Sequence, residues 1–292
     1  MSAAKWIGEC VLKAILMEAC TWPKPGLVTP VSQGAHADMD IWLFITSSTA
    51  IAPCFHDCAQ LGVSHQGTPP SLLHALRVTG IRYEKRLLQS TNQVNTQRGI
   101  LFAGSLLAAA AGWLHGRNEV ISYETLSQSV KAICQNLCRA DFSALDRRPP
   151  QTHGEKLYLN HGITGIRGEA ENGFPLVRNT GLPALHQALE AGLSWREALV
   201  HTLLALMARC DDTTILSRGG FAALAEMKSR AGYLVALGGM QYADIDQALN
   251  DFNAWCLSQW VSPGGSADLL ALCLAMYFLC HPSNGEIIKE TI

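Results

Sequence analysis

The sequence predicts an all-α protein: a single large helical domain with its functional residues in glycine-rich connections between helices. Two patterns carry that prediction. Apolar residues recur at three- and four-residue steps along several long stretches, and alternating strand patterns closed by hairpin turns are nearly absent. Composition is the third support. Of 292 residues, 48% are hydrophobic and 16% charged, enough apolar side chain for a substantial core and too much for a disordered chain.

The first predicted helix is Trp6–Cys20. Lys5, Glu9, Lys13 and Glu18 punctuate it, and Lys5/Glu9 and Glu9/Lys13 are spaced to pair across one turn, unlike a signal peptide. The next is Ile100–Leu114, the longest apolar run. It falls short of the roughly 20 residues that span a bilayer, and its Ala and Gly suit close helix packing. Tyr123–Cys138 and Leu182–Ala191 follow by the same periodicity. Trp195–Cys210 is preceded by Ser194, with Glu197 three residues on, the pattern of a capping box. Gly220–Arg230, Tyr242–Gln259 and Ala267–Leu279 complete the set. Gly116, Gly192 and Gly232 fall just past apolar runs and are predicted helix stops. The polar stretch Ala140–Gly154 reads as a loop inside one domain of residues 1–292. Residues 281–292 lose periodicity and are expected to fray.

A net charge of −2 with no long basic run argues against nucleic acid and membrane surfaces as partners. Most of the ten cysteines lie in apolar helical runs, where a thiol is a small buried hydrophobe. Cys54/Cys58 and Cys134/Cys138 each share a helix face but lack the further ligands a zinc site needs. A reducing, cytoplasmic setting is the expectation.

Chemistry concentrates in five islands of Gly, Pro and charge. The first holds Lys24 between Pro23 and Pro25, then His36 and Asp38. Lys24 there is either a phosphate-binding ammonium on a rigid loop or a solvated lysine, and His36 and Asp38 either join a site or cap the next helix. The second, Asn92–Gly99, opens the Ile100 helix with Asn95 and Arg98, an anion site or an ordinary cap. The third, Gly162–Pro175, is broken by four glycines yet carries Arg167, Glu169 and Glu171. It is expected to be irregular, with Arg167 gripping phosphate and the two carboxylates binding metal or moving protons, unless it is a salt-bridged surface loop. The fourth places Asp211 and Asp212 at the end of an apolar helix, followed by Arg218, Gly219 and Gly220. Acids at a helix C-terminus are unfavourable, so a divalent cation or Arg218 is expected to compensate. The fifth, Ser262–Asp268, opens the last helix. Walker A, Rossmann and nucleophile-elbow motifs are absent. Together the islands suit a polyphosphate with magnesium.

In order along the chain, the islands read Pro-Lys-Pro-Gly-Leu-Val (23–28), Gly-Ala-His-x-Asp-Met (34–39), Val-Asn-Thr-x-Arg-Gly (94–99), Arg-Gly-Glu-Ala (167–170), Gly-Phe-Pro (173–175), Asp-Thr (212–213) with Arg-Gly-Gly (218–220), and Ser-Pro-Gly-Gly-Ser-Ala-Asp-Leu-Leu (262–270). This set resembles the triphosphoribosyl-dephospho-coenzyme A synthase family, over most of the chain from Pro23 to Leu270. Two positions depart from the family pattern: Thr29 stands where an Asp is usual, and Gln97 where a His is usual. Thr152-His153-Gly154 and the Asp211-Asp212 pair lean toward the malonate decarboxylase branch over the citrate lyase branch.

The resemblance implies a transferase that joins ATP to 3′-dephospho-CoA and releases adenine, giving the prosthetic-group precursor of malonate decarboxylase or citrate lyase acyl carrier protein. A downstream acyl-carrier-protein prosthetic-group transferase is then a further partner. For such glycosyl transfer, Lys24, Asn95, Arg98, Arg167, Arg218, Gly219 and Gly220 are the candidates to hold the triphosphate. Glu169 or Glu171 would take the hydroxyl proton and face the sugar cation, His36 would protonate adenine, and Asp38, Asp212 and Asp268 would hold Mg2+. The alternatives are a magnesium-dependent helical nucleotide or ADP-ribosyl hydrolase, and a divergent non-catalytic nucleotide-binding module.

Overall fold

The computed structural model describes residues 2–146 and 148–282. They are helical throughout, joined by short connections, with one isolated bridge between Thr29 and Ser32. The chain runs α1 (Ala3–Cys20), α2 (Ile41–Ser64), α3 (Pro69–Ser90), α4 (Arg98–Gly116), α5 (Tyr123–Ile133), α6 (Leu137–Phe142) and α7 (His153–His161). It continues with α8 (Ile166–Glu171), α9 (Leu182–Glu190), α10 (Trp195–Met207), α11 (Thr213–Ala236), α12 (Ile245–Ser258) and α13 (Gly264–Cys280). Of the tail expected to fray, all beyond Pro282 lies outside the described residues.

Two helices form the centre because their sequences are apolar on every side. Ile100 and Leu101 of α4, and Ala103 through Leu114, are buried, as is Leu269–Leu279 of α13. A helix apolar all round must be enclosed by others. Accordingly α2 packs on α4, and α1 bridges α2 and α13. Gly62 and Gly112 let α2 and α4 approach closely: a Cβ at Gly62 would strike the Ala109 carbonyl, and one at Gly112 the Ala59 carbonyl. By length and composition α4 could cross a membrane, but 78% of it is buried inside the protein. Its 19 residues exceed the apolar run seen in sequence because the helix extends through Arg98 and Gly99 at one end and His115 and Gly116 at the other.

Several sequence expectations need correction. Periodicity missed α2 and α3: Pro53 interrupts α2, and α3 buries only Leu72, Leu76, Tyr83 and Leu87. The Tyr123–Cys138 helix breaks at Asn136, where φ is +60°. The polar stretch 140–154 is not one loop; it contains the end of α6, a 3-10 turn at Ser143–Asp146 and the start of α7, which Thr152 and Glu155 open with a capping box. Gly162–Pro175 is not wholly irregular, since Ile166–Glu171 forms a short helix. Gly232 lies inside α11 rather than past its end. The capping box at Ser194 is present: the Glu197 N–H donates to Ser194 Oγ at 3.3 Å, and the Ser194 N–H donates to Glu197 Oε2 at 2.8 Å.

Candidate functional site

The ends of α3, α4, α7, α8, α11 and α13 surround a cleft of about 1180 Å³. Four of the five islands supply its walls: Asn95 to Gly99 without Gln97, the turn from Gly162 into α8, Asp211–Thr214, and Gly264, Gly265 and Asp268. These segments reach the cleft because each is the opening of a helix or the connection just before one.

The floor is acidic. Asp212 does not end the preceding helix but caps α11: its Oδ1 accepts from the Thr214 N–H at 3.0 Å, Thr214 Oγ1 at 2.7 Å and the Ile215 N–H at 3.4 Å. Its Oδ2 accepts from the Ser266 N–H at 2.8 Å and Ser266 Oγ at 3.0 Å. The dipole therefore stabilises Asp212, the opposite of the sequence expectation. Asp211 pairs with Lys228 at 2.5 Å rather than with Arg218. Asp268, one turn into α13, lies against the start of α4, where a Cβ on Gly99 would overlap its Oδ2. Burial, then Glu18, then Asp212 drive the Asp268 carboxyl well above the usual carboxylate range, and only the Ile100 N–H opposes this. Glu169 of α8 accepts the Leu176 N–H at 3.1 Å, and burial raises its carboxyl to about 6.

The rim is cationic. Arg167 Nε donates to Asp141 Oδ2 at 2.7 Å, Arg77 pairs with the same carboxylate, and Arg98 pairs with Glu84. Asn95 lines the cleft, and its Oδ1 accepts the Arg98 N–H at 3.3 Å. Lys156 and Arg209 also line the cleft, both exposed, and among the described residues neither has an ion-pair partner. Sequence reasoning missed both. Lys156 lies just past the stretch read as loop, where no helix was expected, and Arg209 lies near the end of the expected helix Trp195–Cys210. The acid-rich segment after Arg209 was the available signal.

The structure does not bring the remaining candidates into the cleft. Lys24 is buried, donating to Glu18 Oε1 at 2.5 Å and to the Glu18 carbonyl at 2.7 Å. Its ammonium faces inward because the rigid Pro-Lys-Pro loop folds back onto α1. Arg218 donates to the Ala35 carbonyl at 2.7 Å and lies 3.1 Å from His36 Nδ1. Burial and then Arg218 lower the His36 imidazole to about 4, so it is neutral near pH 7 and accepts at Nδ1. That ring does not suit the proton-donor role. Asp38 is 3.7 Å from His36 and its side chain is 59% exposed. Gly219 packs against Val261 and Ala223, and Gly220, at φ +69°, kinks α11. Glu171 turns to Cys138; burial and then this carboxylate push the thiol up to about 12. Neither departure from the family pattern lines the cleft. Gln97 Oε1 accepts from Ser47 Oγ at 2.8 Å and Ser48 Oγ at 3.1 Å, and Thr29 Oγ1 accepts the Val31 N–H at 3.3 Å.

The set Asp38, Asp212 and Asp268 is not assembled, and among the described residues no group of three His, Cys, Asp or Glu side chains forms a metal site. Both Asp212 oxygens are already taken by five donors. The donors fit a magnesium ion carried on phosphate oxygens better than one caged by protein, since Mg2+ commonly needs only one or two carboxylates beside phosphate and water.

Comparison with known proteins identifies the family of the chain. Residues 4–286 match the family model described as ATP:dephospho-CoA triphosphoribosyl transferase. A 2-(5''-triphosphoribosyl)-3'-dephosphocoenzyme-A synthase from Pectobacterium atrosepticum is 43% identical over 273 residues, 93% of this chain and 88% of that protein. Proteins named as probable synthases of the same kind are similar too. The one from Malonomonas rubra is 39% identical over 94% of this chain and 87% of its own length, and one from Streptococcus equi subsp. zooepidemicus is 35% identical over 94% and 96%. No solved structure matches the chain. The chain belongs to the ATP:dephospho-CoA triphosphoribosyl transferase family.

Proposed function

We propose that this member of the family transfers the triphosphoribosyl group of ATP to 3′-dephospho-CoA with release of adenine, and that the cleft is where it does so. The observation that carries the assignment to the cleft is the convergence of four motif islands on one cavity with an acidic floor and a cationic rim. Glycosyl transfer makes that division useful. Phosphates belong at the rim, where Arg98, Arg167, Lys156 and Arg209 supply charge and Asn95 a polar contact. The ribose carbon that becomes cationic belongs at the floor, near carboxylates.

Glu169 is the proposed base. At neutral pH its carboxylate is ionised, with a proton affinity raised by burial, as suits accepting the proton of the dephospho-CoA hydroxyl. Magnesium would arrive on the triphosphate and offset its charge. The product is proposed to serve as a prosthetic-group precursor, passed in the cytoplasm to the transferase that loads the acyl carrier protein of malonate decarboxylase or citrate lyase.

Incubation with ATP and Mg2+, with and without dephospho-CoA, tests the reading by measuring adenine. Release that depends on dephospho-CoA is expected. Release without it would identify a hydrolase, and none under either condition a nucleotide-binding module.

A further inference from the structure

We infer that Asp268 is the acid of the reaction, handing its proton to a ring nitrogen of adenine as the base leaves. This rests on the transfer reading above and supplies the proton donor that His36 does not provide.

Charge balance in a confined space singles out this carboxyl. Three carboxyl groups bear on one another beneath the cleft: Glu18 from α1 and Asp212 ahead of α11 both disfavour the charge of Asp268 on α13. One ammonium, Lys24, is close by, and it is spent on Glu18 at 2.5 Å. Asp212 needs no proton, because five donors surround its oxygens. Asp268 has neither provision. No cation pairs with it among the described residues, both neighbouring acids raise its proton affinity, and its one opposing influence is the Ile100 N–H at the start of α4. The bare backbone of Gly99 lets the carboxyl seat there. Of the three, Asp268 is therefore the carboxyl whose charge is least compensated and whose protonated form is most favoured, and it lines the cavity near the start of α13.

Glu169 lines the same cavity with its carboxyl raised by burial alone to about 6, whereas two neighbouring acids add to burial in raising Asp268. Two carboxyls held at different proton affinities in one site define a base and an acid. In the step proposed, the C1′–N9 bond of ATP breaks and its electron pair goes to the base. The Asp268 proton moves to adenine, so that neutral adenine departs. The 2′-oxygen of dephospho-CoA bonds to C1′, and its proton passes to Glu169. Between turnovers the proton on Glu169 returns through water to Asp268, so the cycle transfers one proton from hydroxyl to adenine overall.

The test compares wild type with Asp268→Asn on ATP, 7-deaza-ATP and 3-deaza-ATP, measuring release of the base in the presence of dephospho-CoA. With ATP, the variant should be slower by about 100-fold or more. Wild type should lose a comparable factor on the analogue that lacks the protonated nitrogen. On that analogue Asp268→Asn should lose little more, because the donor has no acceptor to serve. The wild-type kcat/KM should also fall at high pH along a limb that the variant lacks. If the variant's loss multiplies with the analogue's loss for both deaza compounds, Asp268 only supports the fold and the inference is overturned. Should Asp268→Asn fail to fold, wild type decides alone: equal rates on all three nucleotides would overturn the inference. Wild type releasing no adenine from ATP with dephospho-CoA present would overturn the transfer reading as well, whereas normal release unaffected by Asp268→Asn would overturn only the role of Asp268.

Discussion

The cleft and the packing behind it are built from the same kind of sequence and treat charge in opposite ways. Behind the cleft, the charges are matched: Lys24 with Glu18, and Arg218 with the Ala35 carbonyl and the neutral His36 ring. Inside the cleft, Arg77 and Arg167 share Asp141 and Arg98 pairs with Glu84, but among the described residues Lys156 and Arg209 have no ion-pair partner and no cation pairs with Asp268, whose charge two other acids oppose. Matched charges hold elements together, whereas unmatched ones in a cavity are stabilised when a ligand of opposite sign arrives. Motif residues thus fall into two kinds, those that meet substrate and those that brace the wall from behind.

The division breaks most visibly at Glu169. Glu169→Gln is expected to slow adenine release by about 100- to 10,000-fold, the range for loss of a general base. In wild type, kcat/KM should fall about tenfold per pH unit below about pH 6, and the variant should lose that limb. Stability should move the other way. A carboxyl raised from its ordinary value of 4.5 to about 6 costs stability when ionised, a cost present above pH 6 and gone below 4.5. Near pH 7, Glu169→Gln should therefore leave the fold as stable or more stable by up to about 2 kcal/mol, measured by denaturant unfolding. A destabilised variant would move Glu169 from the first kind of residue to the second.

Lys24 should show the reverse signature. Lys24→Met leaves Glu18 buried without a partner and is expected to cost about 3–5 kcal/mol of unfolding free energy. Pairing it with Glu18→Gln should recover most of that loss. If Lys24→Met instead raised the KM for ATP while the fold kept its stability, the lysine would belong to the cleft.

The helices were legible wherever one apolar stripe recurred, as in α10, and capping chemistry gave its start at Ser194. Pro53 hid α2, although a helix of 24 residues enclosed by neighbours tolerates one interruption. At the site, order along the chain identified the islands but not their facing. Lys24 and Lys156 look equally available in sequence. One is folded onto Glu18 and the other stands at the rim, and that difference depends on a partner six residues away across a turn and on α7, a helix that apolar periodicity did not pick out. Asp212 was misread for a related reason: the helix before it ends at Met207, so the acid belongs to the helix that follows.

The rim cations carry a smaller expected effect. Arg209→Ala and Lys156→Ala should each raise the KM for ATP about tenfold with little change in stability, since an exposed charge-assisted contact is at the low end of about 1.5–3 kcal/mol. Higher salt should weaken ATP binding in wild type more than in the double variant. No change in KM from either substitution would place the triphosphate elsewhere in the cavity.

Arg218→Ala should have the smallest effect on catalysis, and it tests the division from its far side. The guanidinium is a motif residue, yet its two polar contacts point at the Ala35 carbonyl and His36 Nδ1, away from the cavity. Removing it deletes one partly buried hydrogen bond to backbone, worth about 1 kcal/mol. It also relieves His36 of a neighbouring positive charge, so the imidazole should titrate above its present value of about 4, although burial, the larger cause, still holds it below the ordinary range. The KM for ATP should stay within about twofold of wild type, and NMR titration of His36 should show the upward shift. A tenfold rise in KM without that shift would mean that Arg218 turns from Ala35 to phosphate when the nucleotide binds, and the brace would then be part of the site.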